Sequence, residues 1–181
     1  MSCCILETGR LLLRPPELSD LPQMVPLVSD FEVSKNLGRV AHPYTQDHAR
    51  EFYARAEIQR GLGTDFNFGI TRKEDGAYLG GCGLHLRDGV FEMGYWLGKP
   101  YWGMGYATES AKKLASFAFH DLKATRLVAA WFHDNPASGR VLAKLGYEHY
   151  GSEPRDFLAR GHQVYCHNVE LRREKFGRVA A

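Results

Sequence analysis

The stretch from Tyr95 to Phe119, YWLGKPYWGMGYATESAKKLASFAF, constrains this chain more than any other. A strand-like run ends in a glycine-containing turn. Helix-period apolar residues follow at once, at Ala107, Ala111, Leu114, Ala115 and Ala118. Gly103 and Gly105 open backbone conformations that other residues reach only at a cost. The first turn of the helix leaves main-chain N–H groups without partners. Together with the positive end of the helix dipole, those donors, from Met104 to Thr108, would make a phosphate site; taken alone, the turn reads also as a helix entry that binds nothing. The segments before the turn matter as much. Asp65 to Arg72, Ala77 to Arg87 and Val90 to Gly98 read as strands, joined by turns at Glu74-Asp75-Gly76 and Asp88-Gly89. Two familiar phosphate loops do not fit. A Walker A loop needs Lys and then Ser or Thr after its second glycine, where this chain has Tyr106-Ala107. The dinucleotide fingerprint belongs to an N-terminal strand–helix–strand unit, and Thr108 stands where its third glycine would be.

The remaining segments complete an order of elements. RLLLRP (Arg10 to Pro15) is expected to be a first strand, stopped by Pro15 and Pro16. Ser19 and Asp20 cap a helix running towards Ser29. Thr45 caps a second helix through Arg60, ended by Gly61 and Gly63. TRLVAAWF (Thr125 to Phe132) reads as a buried strand. Ser138, Val141, Leu142 and Leu145 fall at helical spacing, and Gly146 ends that helix. Closing strands are expected near Tyr147 to Gly151 and Gln163 to Leu171. The glycine-rich segment Ala77 to Arg87 is expected to kink or bulge, and the basic tail RREKFGR to fray. Hairpins followed by strand–helix–strand–helix–strand predict a mixed α/β sheet.

Composition narrows the partners. A chain of 181 residues suits one domain with its own core. A net charge of +2 gives no argument for nucleic acid or an acidic membrane. The four cysteines, Cys3, Cys4, Cys82 and Cys166, show no metal-ligand spacing and read as free thiols in a reducing compartment. No signal peptide is apparent, and no apolar run approaches the ~20 residues that span a bilayer. A cytoplasmic location and the absence of a metal site are therefore expected.

The run YWGMGYATES closely resembles the coenzyme A pyrophosphate loop of the GNAT acetyltransferases, with Trp102 where the family usually has Gln or Arg. NPASGRVLAKLGYEHYG (Asn135 to Gly151) is similar to the family's second signature, Asn-x-x-Ser on a helix followed by a Lys-Leu-Gly turn. FEMGYWLG resembles its splayed central strand. The resemblance covers roughly residues 8–172 and is strongest to the branch of Rim-type ribosomal-protein N-terminal acetyltransferases. It implies an α/β (α+β) fold in one domain: a mixed, mostly antiparallel sheet of about seven strands, flanked by helices.

The resemblance also implies site roles. Acetyl-coenzyme A would be the co-substrate. Trp102, Gly103, Met104, Gly105, Tyr106, Ala107 and Thr108 would hold its diphosphate. Pantetheine would lie along Glu92 to Leu97, paired with the main chain of Tyr95, Trp96 and Leu97. Asn135 would touch the pantetheine arm, and Ser138 would donate a proton to the departing thiolate. The plainer reading makes Asn135 a helix cap and Ser138 an ordinary first-turn residue. Alternation puts Glu92, Gly94 and Trp96 on one strand face, so Glu92 is the candidate base for the amine; otherwise it is a solvent-facing or ion-paired carboxylate. The Tyr95 and Trp96 side chains and Tyr147 read as packing residues, and Glu109 as a partner of the helix dipole. His85, His120, His133 and His149 have no partner at nucleophile or metal spacing and read as packing or surface residues.

The implied reaction is acetyl transfer to a primary amine by direct attack in a ternary complex, with no nucleophilic side chain. The competing reading is a sensor that binds acetyl-coenzyme A without turnover. The acceptor is a protein N-terminus or a small amine, bound by residues 31–44 and 151–162. There Phe31, Tyr44 and Phe157 line a pocket or simply pack. A monomer and a homodimer fit equally.

Overall fold

The computed structural model describes residues 4–180, so Cys3 lies outside the described residues. The chain opens with two short strands, β1 (Leu6–Glu7) and β2 (Leu11–Arg14). A 3-10 turn leads into α1 (Leu21–Ser29), followed by α2 (Phe31–Ser34) and α3 (Gln46–Leu62). Next come β3 (Asp65–Arg72), β4 (Tyr78–Arg87) and β5 (Val90–Leu97) as successive hairpins. The alternating half is α4 (Tyr106–His120), β6 (Arg126–Phe132), α5 (Pro136–Leu145), β7 (Glu148–Phe157), β8 (His162–Arg172) and α6 (Arg173–Ala180).

The strands form one sheet in the order β1-β2-β3-β4-β5-β6-β8-β7. It has eight strands where about seven were expected. The addition is β1, whose two residues are too few to show a period. Every pairing is antiparallel except β5 with β6. Those two run parallel because α4 carries the chain back between them. Their ladder contains only Phe91↔Leu127 and Glu92↔Val128, whereas β5 pairs with β4 along its whole length. Beyond Glu92 the sheet therefore opens into a cleft.

Alternation assigns the two faces. Leu13, Phe66, Phe68, Met93 and Leu97 pack with α4, which buries Ala111, Leu114, Ala115 and Ala118 completely. Each large apolar side chain buried there contributes ~1.5–3 kcal/mol. The other face carries Tyr78 and Trp96 against Met24 and Val28 of α1 and Ala49 of α3.

Local signals place most boundaries. Thr45 Oγ1 accepts the His48 N–H at 3.3 Å and so caps α3. That helix runs through Gly61 and stops at Gly63, which takes the left-handed conformation with φ 71°. Gly61 was expected to help end it, but a lone glycine is tolerated inside a helix. The glycine-rich β4 sits opposite a register shift between Ile70 and Thr71. β7 extends to Phe157, well past the expected end at Gly151. It is the outermost strand, so its polar run and Pro154 carry no buried alternation to read.

The tail is a correction. Residues expected to fray instead form α6. Arg173 donates to the Ala124 carbonyl from Nε at 3.0 Å and Nη2 at 2.7 Å, and Phe176 is buried 5.3 Å from the Phe119 ring. One aromatic anchor outweighs a charged composition.

Candidate active site

The turn between β5 and α4 has the backbone that its glycines permit. Gly103 and Gly105 have φ of 76° and 82°, and Gly105 is the N-cap residue of α4. No side chain caps α4, so its first-turn N–H groups face outward without that partner. A Cβ placed on Gly103 would meet nothing within 4 Å, so the space over the turn is open. Trp102 is exposed, and its ring N–H donates to the Leu97 carbonyl at 2.8 Å. That bond ties the turn back to the strand. Met104 is exposed and Tyr106 buried. Arg10 stacks over Tyr106 at 4.4 Å and donates to the Met104 carbonyl at 3.1 Å.

Glu109, expected to serve the dipole of α4, does more than that. It accepts from Thr8 Oγ1 at 2.6 Å, from the Arg10 main chain at 3.0 Å and from Arg10 Nε at 2.7 Å. The carboxylate thereby fastens the β1–β2 turn against the phosphate turn. Burial pushes its pKa up, but the bonds from Thr8 and Arg10 outweigh this and hold it below the ordinary carboxylate value. A folded pKa below the unfolded one adds stability above the unfolded value of ~4.3, lost as pH falls through the folded pKa. Glu109→Gln should therefore melt below the parent at neutral pH. The gap should close towards about pH 3 in thermal scans across pH.

The cleft edge of β5 follows from hydrogen-bond alternation. The Gly98 N–H donates to the Leu79 carbonyl at 2.9 Å, on the β4 side. Main-chain groups alternate sides along a strand, so those of Tyr95 and Leu97 turn towards the opening, whereas those of Trp96, expected to pair with pantetheine as well, face β4. Trp102 already occupies the Leu97 carbonyl. The Tyr95 side chain crosses to α5. Its hydroxyl lies 2.9 Å from Ser138 Oγ and 3.0 Å from the Ser138 carbonyl. Burial pushes the Tyr95 phenol up to about 12, partly offset by the Ser138 hydrogen bond, so it stays protonated at neutral pH. Asn135 Oδ1 accepts the Ser138 N–H at 3.3 Å, which makes Asn135 the cap of α5. Tyr147 is buried, with its hydroxyl on Met93 Sδ at 3.6 Å, and its pKa is driven well up by burial. Trp96 packs against Tyr78, ring centroids 6.3 Å apart.

Glu92 sits at the last rung before the cleft. Its Oε1 accepts from Arg155 Nη1 at 2.8 Å, while Arg155 Nη2 donates to Asn168 Oδ1 at 2.9 Å and Nε to Glu153 at 3.1 Å. Glu92 is thus an ion-paired carboxylate fixed in position. The segments 31–44 and 151–162 do meet. The Leu158 N–H donates to the Gly38 carbonyl at 3.3 Å, and Arg160 Nε to the Lys35 carbonyl at 2.7 Å. Phe157 is buried 4.1 Å from the Phe132 ring, Tyr44 packs on the α1–α3 core, and Phe31 stays exposed beside His42.

One reading needs correction. His85 has a partner: its Nδ1 lies 2.9 Å from the buried carboxylate of Asp65. The sheet register aligns Asp65, His85 and Glu92 across three strands. Counting outward from the Asp88-Gly89 turn would have put His85 opposite Glu92. No spacing along the chain reveals Asp65, twenty residues away. Among the described residues, no group of three or more His, Cys, Asp and Glu could hold a metal ion, and no helix is long and apolar enough to cross a membrane. Cys82 and Cys166 are buried free thiols.

Comparison with known proteins finds relatives in sequence and in fold. Residues 10–148 match the model of the acetyltransferase (GNAT) domain. An uncharacterized N-acetyltransferase, p20 of Bacillus licheniformis, is 33% identical over 150 residues, covering 81% of this chain and 83% of the relative. The crystal structure of a GNAT-family acetyltransferase from Bacillus anthracis superposes with a TM-score of 0.82 at 22% identity, covering 94% of this chain and 99% of that one. RimJ of Mycobacterium smegmatis, solved in complex with CoA-disulfide, superposes with a TM-score of 0.81 at 18% identity, covering 95% and 87%.

Proposed function

The chain belongs to the GNAT acetyltransferase family, and from that premise we propose that it moves acetyl from acetyl-coenzyme A to a primary amine by direct attack in a ternary complex. One observation carries the reading. An uncapped helix start with two left-handed glycines lies at the mouth of a cleft, and the free edge of β5 leads from it to the last β5–β6 rung. Such an arrangement suits a diphosphate joined to an extended amide-bearing arm.

In this reading, the N–H groups from Gly103 to Thr108 hold the diphosphate, and Trp102 keeps the turn in place. The main chain of Tyr95 and Leu97, beside the core-facing Trp96, pairs with the pantetheine amides. Asn135, whose Oδ1 is used as a cap, retains its amide N–H₂ for the same arm. The Tyr95 N–H is placed to stabilise the oxyanion that forms as the amine adds to the thioester carbonyl. Ser138 Oγ protonates the departing thiolate. A thiol with pKa ~8.5 needs only modest help. The Tyr95 hydroxyl donates to the Ser138 carbonyl at 3.0 Å and lies 2.9 Å from Ser138 Oγ, which holds the serine hydroxyl in place beside the sulfur. Ser138→Ala should lower kcat by about tenfold and leave KM for acetyl-coenzyme A within about twofold, measured by thioester consumption.

For the acceptor, Glu92 faces the incoming ammonium at the end of the cleft. We assign a protein N-terminal α-amine, as in the Rim-type branch. Its pKa of ~7.7–8.0 asks less of a base than the ~10.4 of lysine. The test is thioester consumption over a panel of peptides, polyamines and aminoglycosides. Reaction with a small amine and none with any peptide would remove the N-terminal assignment. Tight acetyl-coenzyme A binding without transfer to any amine would favour the sensor.

A further inference from the structure

We propose that His85, oriented by Asp65, takes the proton from the acceptor amine, while the ion-paired Glu92 grips the ammonium beside it. The assignment rests on the acetyl-transfer reading and adds a residue to it. Asp65 is buried on β3, yet its Oδ1 has no hydrogen-bond partner among the described residues, with Arg87 Nη1 at 3.9 Å. A buried carboxylate left half-satisfied is costly. Its Oδ2, however, meets His85 Nδ1 at 2.9 Å, so the charge faces the spot where an imidazolium would form. That contact also fixes the tautomer: Nδ1 carries the hydrogen towards Asp65, and Nε2 is left as the acceptor.

The position of Nε2 is decisive. A Cβ on Gly83 would meet it at 3.3 Å and would meet Asn67 Oδ1 at 2.9 Å, so the imidazole edge lies over Gly83. Gly83 pairs with Gly94 of β5, where a Cβ would meet nothing within 4 Å. Gly94 thus leaves an open trough on the sheet, with the His85 imidazole over Gly83 beside it and Glu92 and Trp96 flanking it along β5. Glu92 belongs to the last rung before the cleft, so the trough opens where the thioester is expected to end.

The proton balance closes. The acceptor ammonium gives one proton to His85 Nε2, and its nitrogen bonds to the thioester carbonyl carbon. The carbon–sulfur bond breaks, the sulfur takes a proton from Ser138, and the acylated nitrogen gives up its second proton to restore Ser138. His85 returns its proton to solvent. The sum is ammonium plus thioester giving amide, thiol and one proton.

The test uses the full chain with acetyl-coenzyme A and an amine that the parent acetylates. His85→Gln should lower kcat by about a hundredfold with coenzyme affinity by calorimetry unchanged, and added imidazole should restore part of the turnover of His85→Ala. Asp65→Asn should slow the parent but add nothing in a His85→Gln background, because Asp65 acts through His85. Undiminished kcat in His85→Gln, additive effects of the two substitutions, or a loss of kcat that tracks a loss of coenzyme binding would each overturn the assignment. A parent that acetylates no amine would instead defeat the acetyl-transfer reading itself, so the two failures are distinct.

Discussion

Gly105→Asp is expected to weaken acetyl-coenzyme A binding by at least about a thousandfold and to lower the melting temperature by only a few degrees. Two effects add. Gly105 has φ 82°, and an aspartate forced into that region costs ~1–3 kcal/mol. The new carboxylate also stands at the N-terminus of α4, where the diphosphate is proposed to sit. Like charges about 4 Å apart near a protein surface repel by ~4 kcal/mol. The strain falls mostly on the melting temperature and the repulsion on binding, so calorimetry and thermal scans separate them. Gly105→Ala is the control: it keeps most of the strain and adds no charge. Binding by Gly105→Asp at parental strength would place the coenzyme somewhere other than this turn.

The same turn shows why part of the molecule is legible in sequence. Glycines at Gly103 and Gly105, a helix-period run behind them and hairpin turns ahead are local signals, and local signals set local backbone. Thr45 and Gly63 placed α3 for the same reason. What stayed hidden depends on residues distant in sequence. The two residues of β1 are a strand only because β2 pairs with them. α6 exists because Phe176 finds Phe119 across the core, whereas its charged sequence alone suggests a loose end. Glu109 reads as a dipole partner until the fold brings Arg10 and Thr8 to it. The same holds at the site. The phosphate turn and the Asn135–Ser138 pair are written along the chain. The Asp65–His85 contact, the Arg155–Glu92 ion pair and the Tyr95–Ser138 bridge each join different elements, and only register or packing brings them together.

Two glycines of the β4–β5 hairpin, Gly80 on β4 and Gly94 on β5, should respond in opposite ways, and the contrast tests how the cleft is built. A Cβ on Gly80 would stand 2.2 Å from the Trp96 carbonyl oxygen and 2.8 Å from Leu97 Cα. Those are main-chain atoms of β5, the strand proposed to hold pantetheine along its opposite edge, and they cannot rotate aside as a side chain would. Gly80→Val should therefore cost more than about 3 kcal/mol, at the upper end of overpacking penalties, and lower the melting temperature by roughly 10 °C. What protein remains folded should bind acetyl-coenzyme A poorly, because Trp96 and Leu97 must move. Gly94 is the reverse case. A Cβ there meets nothing within 4 Å, and its backbone is not left-handed. Gly94→Ala should melt at or slightly above the parent temperature, since alanine has less unfolded-state entropy to lose. Its methyl group would nevertheless stand in the trough beside His85 and Glu92, so turnover should fall while coenzyme affinity holds. Parental turnover in Gly94→Ala would mean that the amine does not approach across this face of β5. Parental stability in Gly80→Val would mean that the close contact between β4 and β5 does not set the width of the cleft.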